Sequence, residues 1–98
     1  MSTKDHILAA LEAYSKGAKG RALDEINLAI EYFEAVSDCG LPSDVELDRQ
    51  IACRLQNPHE AVGDYLLLAR DTLLKELGVE RYALMPVVLA LKTALNLL

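Results

Sequence analysis

The sequence predicts an all-α fold: a compact antiparallel bundle of four to five helices, forming one domain over residues 1–98. Three observations carry this expectation. Hydrophobic residues make up 52% of the chain but aromatics only 5%, with no tryptophan, so a core of closely spaced helices fits better than a sandwich with aromatic anchors. Helix caps and stops recur along the chain, and no useful stretch alternates with the period of a strand. The third is the final segment, Pro86 to Leu98, in which only Lys92, Thr93 and Asn96 are polar. On a helix those three share one narrow strip, and the remaining apolar surface calls for neighbours on two or three sides.

The elements follow in order. Ser2 and Thr3 can cap a first helix, whose apolar positions Ile7, Leu8, Leu11 and Tyr14 keep helical spacing. Gly17 ends it, and Gly20 reads as part of a loose linker. A second helix is predicted from about Arg21 to Asp38, with Leu23, Ile26, Ile30, Phe33 and Ser37 on one face. Cys39-Gly40-Leu41-Pro42 stops it, because proline cannot continue a helix. Ser43 opens a third, with Glu46 placed to complete a capping box. Proline disfavours a helical residue before it, so this helix should end near Gln56.

Asn57-Pro58-His59-Glu60 reads as the cap and first turn of a fourth helix. Its core stripe is Val62, Tyr65, Leu66, Ala69, Leu73 and Leu77, with Leu67 and Leu74 as a second apolar strip and Gly78 as its end. A fifth helix starts near Glu80 or afresh at Pro86. The last two helices carry more apolar surface than one bundle interior absorbs. A homodimer is therefore expected, with Leu67, Leu74, Val88, Leu91, Leu95 and Leu98 at the seam.

The net charge of −5 is unevenly spread. From Ala22 to Asp48 there are eight carboxylates and no lysine or arginine. Glu31, Glu34, Asp38 and Asp44 are the candidate contacts of this acidic surface with a basic protein partner, whose approach it would steer. The same run would also keep an apolar protein in solution. Direct nucleic-acid binding is not expected, since no basic stripe of comparable length exists. One basic cluster, Lys16-Gly17-Ala18-Lys19-Gly20-Arg21, precedes a helix but lacks a P-loop fingerprint. With Asp24 and Glu25 in the first turn of that helix, it reads as a hinge.

Cys39 and Cys53 have neither CxxC spacing nor the density of a disulfide framework, which points to a reduced, cytoplasmic setting. The N-terminus carries Asp5, His6 and Glu12 where a signal peptide needs an unbroken apolar run. The C-terminal stretch falls short of the roughly 20 apolar residues that span a bilayer. Neither histidine has a partner at metal-ligand spacing, and no metal or other cofactor is expected. Asp44-Val45-Glu46-Leu47-Asp48 lacks the glycine and the distal glutamate of a calcium loop.

One motif carries a possible chemistry. Arg54-Leu55-Gln56-Asn57-Pro58-His59 is an arginine and a histidine with four residues between them, within an all-α chain. It resembles the R-x4-6-H signature of HEPN-type ribonucleases, helical bundles that pair two such motifs by dimerising. The resemblance implies metal-independent RNA cleavage by Arg54 and His59, with the histidine as general acid–base group. Leu55 after the arginine, Pro58 inside the motif and the acidic surface depart from that pattern. The reading that best fits the whole chain is a binding module: an adaptor, regulator or immunity- or antitoxin-like inhibitor that acts without catalysis. A binder of an apolar small molecule between helices is a further alternative.

Overall fold

The computed structural model describes residues 2–36 and 61–98. Among these residues there are four helices and no strand: α1 (Thr3–Ser15), α2 (Lys19–Val36), α3 (Val62–Glu76) and α4 (Val87–Leu97). The helices α3 and α4 are the predicted fourth and fifth. The predicted third helix, its junction at Asn57-Pro58, and Ser37 of the second helix lie outside the described residues.

The helix ends follow from local chemistry. Ser2 accepts a hydrogen bond from the backbone N–H of Asp5, and the Asp5 carboxylate accepts one from the N–H of Ser2, so a capping box opens α1. Hydrogen bonding from Ser2, its backbone N–H first and its side chain second, holds the Asp5 carboxyl below the usual carboxylate range. At its other end, Gly17 takes a left-handed φ of 79°. There its N–H donates to the Tyr14 carbonyl and that of Ala18 to the Ala13 carbonyl, a Schellman closure. Gly78, with φ 94°, ends α3 in the same way, the N–H of Val79 donating to Leu74.

One boundary differs from the sequence reading, and another falls at one of its two expected places. The second helix begins at Lys19, so Gly20 is helical rather than linker, and no acid stands in its first turn. The Ala22 N–H already donates to the Ala18 carbonyl, which closes the helix two residues early. The last helix starts beyond Pro86, which sits at its N-cap, so Glu80 begins nothing. Thr72 on α3 donates its hydroxyl to the Met85 carbonyl at 2.6 Å, which tethers the end of the connection to α3.

Packing follows chain order: α1 against α2, α2 against α3, α3 against α4, and α4 more lightly back against α1. Among the described residues, seven of the sixteen buried hydrophobic side chains are alanines: Ala10, Ala13, Ala22, Ala29, Ala69, Ala90 and Ala94. Short side chains let helix axes approach closely, which is how a core with Phe33 as its one buried aromatic is filled. The larger fully buried side chains are Ile7, Ile26, Leu66, Leu73 and Leu91, with Val62 and Val87.

The buried face of α1 is therefore Thr3, His6, Ile7, Ala10 and Ala13, while Leu8 points outward. Leu77, assigned to the core stripe of the predicted fourth helix, falls at the C-cap of α3 and is exposed. Among the described residues, no helix is long and apolar enough to cross a membrane.

Candidate protein-binding face

The candidate site is the outer face of α2. Ala22, Ile26, Ala29, Ile30 and Phe33 turn the helix toward the core. Helical spacing then sends Leu28, Glu31 and Ala35 to the opposite side, with Tyr32 on one edge and Glu34 on the other. Leu28 and Tyr32 are both exposed, and with Glu31 and Ala35 they line a shallow depression of about 290 Å³. Apolar contact area thus lies beside carboxylates on a helix that has no cation after Arg21.

Tyr32 is supported from α1. Its ring stacks on the His6 imidazole, with centroids 5.0 Å apart and planes tilted by 32°. His6 is only 4% exposed, and its Nδ1 lies 2.7 Å from Oε2 of Glu25, in the second turn of α2. An ionised carboxylate only accepts, so the imidazole donates from Nδ1 and its ring plane is fixed. Glu25 is itself largely shielded, its side chain 17% exposed, which strengthens the contact relative to a surface pair. The pair and stack hold Tyr32 against rotation, and a side chain already ordered loses less entropy when a partner covers it.

The sequence-predicted contacts divide. Glu31 and Glu34 are exposed on this face. Asp38 and Asp44 lie outside the described residues, as do Arg54 and His59 of the ribonuclease motif and both cysteines. Sequence reasoning missed Leu28, Tyr32 and His6. Leu28, Tyr32 and Ala35 form a second apolar strip at helical spacing, which was available to find. The His6–Glu25 pair joins positions 19 residues apart and leaves no local signature.

Of the predicted seam, Val88 and Leu98 are exposed, while Leu67, Leu74 and Leu95 are half-buried. Leu91 is fully buried within the single chain, so it belongs to the core and cannot also meet a second subunit. The strip of Lys92, Thr93 and Asn96 faces outward, with Thr93 donating its hydroxyl to the Leu89 carbonyl.

The basic cluster is compensated by neighbours. Lys16 Nζ is 2.8 Å from Oε1 of Glu12, a contact that holds the Glu12 carboxyl below its usual range. Lys19 Nζ is 3.8 Å from Oε1 of Glu76. Among the described residues, no group of three or more histidine, cysteine or carboxylate side chains could hold a metal ion.

Glu76 also receives Tyr14, whose hydroxyl donates to both carboxylate oxygens at 2.8 and 3.0 Å. That hydrogen bond, with burial and the carboxylate charge, raises the Tyr14 hydroxyl above the ordinary tyrosine value. A raised folded-state pKa means the contribution is complete below about pH 10 and is lost as pH climbs through the higher folded value. Ultraviolet titration is expected to show a tyrosine step above the ordinary value, and Tyr14→Phe to remove that step. The substitution should cost no more than about 1 kcal/mol, because the contact is exposed to solvent. A titration in which Tyr14→Phe removes no late step would contradict the contact.

Compared with protein-family models, with curated proteins and with solved structures, the chain matches none.

Proposed function

We propose that this chain is a small protein-binding module, an adaptor, regulator or inhibitor that acts by docking rather than catalysis, and that it works as a homodimer. The observation that supports this best is the outer face of α2, where Leu28 and Tyr32 stand in water beside Glu31, with Glu34 exposed on the far edge. A partner with a basic surface and an apolar side chain to place in the depression would match both features. The carboxylates would steer its approach, and Tyr32, held by His6, would carry the contact energy. Such a charge-led encounter weakens as salt rises.

The test is charge reversal at the two glutamates. With Glu31→Lys and Glu34→Lys combined, partner affinity is expected to fall by about 100-fold or more, since attraction becomes repulsion. Helical content by circular dichroism should stay unchanged, because both side chains are exposed. Binding that survives the reversal would remove this face from the account.

A further inference from the structure

The two faces of the Tyr32 ring meet different surroundings. His6 covers one, with centroids 5.0 Å apart, and Tyr32 is still 43% exposed, which leaves the opposite face as its open side. Behind the imidazole sits the Glu25 carboxylate, 2.7 Å from Nδ1 and largely shielded from solvent. An aromatic face is already the negative pole of the ring's quadrupole. A carboxylate held behind the stack adds to that field, so the open side of Tyr32 attracts positive charge.

Glu25, Leu28, Tyr32 and Ala35 follow one another at three- and four-residue spacing, in one strip along α2. Glu31 flanks the strip and lines the same depression as Leu28, Tyr32 and Ala35. Among the described residues Glu31 has no ion pair, and the sequence holds no lysine or arginine from Ala22 to Asp48. An aromatic face, apolar walls and an uncompensated carboxylate thus stand together.

That combination selects the chemistry of its occupant. A carboxylate or phosphate is repelled by both Glu31 and the ring face. A wholly apolar side chain covers Leu28 and Ala35 but needs a second residue to pair Glu31. A lysine ammonium pairs as a compact, strongly hydrated point charge. The guanidinium of arginine is flat, stacks on an aromatic ring and donates N–H groups from its edge to a carboxylate, and its stem is apolar. We infer that the α2 face receives an arginine side chain of the partner protein, its guanidinium stacked on the open face of Tyr32 and paired with Glu31, its stem along Leu28 and Ala35. This rests on the protein-binding reading above and names the residue through which the basic partner engages.

Nuclear magnetic resonance titration of the purified chain tests the inference with the blocked peptide acetyl-Gly-Arg-Gly-amide and its lysine and citrulline counterparts. The arginine peptide is expected to shift the resonances of Leu28, Glu31, Tyr32 and Ala35. Lysine should bind about threefold more weakly, and citrulline, flat but uncharged, about tenfold or more. Tyr32→Leu should weaken the arginine peptide by about fivefold, while Tyr32→Phe, which keeps the ring, should change it by less than about twofold. Glu31→Gln should weaken it by about threefold. The peptide series is read on the wild type, so it decides even where Tyr32→Leu disturbs the helix. Lysine or citrulline binding as tightly as arginine overturns the guanidinium, while shifts that stay on α2 keep the docking face. Shifts confined to other parts of the chain, or none with any peptide, overturn the placement of arginine on Tyr32. Docking of a whole protein is decided apart from this, by the Glu31 and Glu34 reversal.

Discussion

Leu91→Ala is expected to destabilise the chain by about 2–5 kcal/mol, the range for a leucine truncated inside a packed core. Leu91 is 0% exposed and packs in the same cluster as Val87, Ala90 and Ala94 of its own helix and Leu66 and Leu73 of α3. Those neighbours cannot all close on a methyl-sized stub, so a cavity remains and adds to the lost transfer energy. The comparison is Leu89→Ala on the same helix. Leu89 is 52% exposed, and its truncation should change stability by no more than about 0.5 kcal/mol. Urea unfolding followed by circular dichroism reads both. The Leu91 loss should also persist at every protein concentration, because it acts within one chain. A loss that vanishes on dilution would instead put Leu91 at the subunit seam.

The second large effect concerns the buried pair beneath Tyr32. Glu25→Leu is expected to cost about 1–3 kcal/mol, because it leaves Nδ1 of the 4%-exposed His6 without its carboxylate. His6→Leu should cost a comparable amount by stranding Glu25 and removing the ring on which Tyr32 rests. Replacing both together should cost less than the sum of the two, since neither polar group is then left behind. A coupling of about 1 kcal/mol or more in the double-mutant cycle is the expected result. Strict additivity would show that the two side chains do not act as a pair. The double variant also bears on function. Its fold should survive, while Tyr32 loses its support and partner affinity drops with it.

The ends of the elements were legible because each is written in a few adjacent residues. Ser2, Gly17, Gly78 and Pro86 mark them by hydrogen-bonding capacity or backbone freedom, and the structure uses all of them. The buried faces were less legible. Periodicity weighs bulky residues, so Leu8 and Leu11 outweighed Ala10 and Ala13 in α1, yet close packing of helices prefers the alanines. Gly20 reads as a breaker by composition, but the hydrogen bond from Ala22 to Ala18 draws it into the first turn of α2. Leu77 fits the helical stripe in number but falls where α3 has already ended. Leu91 fits a surface seam by spacing, and only the packing of α4 on α3 shows that the core takes it.

The candidate site was half legible for the same reason. Glu31 and Glu34 belong to a charge run that any reading of the sequence finds. Tyr32 gains its standing from His6, which the turn at Lys16-Gly17-Ala18 brings across from α1 to meet Glu25 on Tyr32's own helix.

Native mass spectrometry on the tagged chain, recovered from its own cells as wild type and as the Glu31→Lys, Glu34→Lys variant, tests the central claim most directly. The predicted wild-type spectrum holds two copies of the chain with a second protein in fixed stoichiometry. In the variant that protein should be missing while the two copies stay together. A wild type that appears only as a bare chain, or a partner retained equally by both forms, would contradict a module that works by docking through α2.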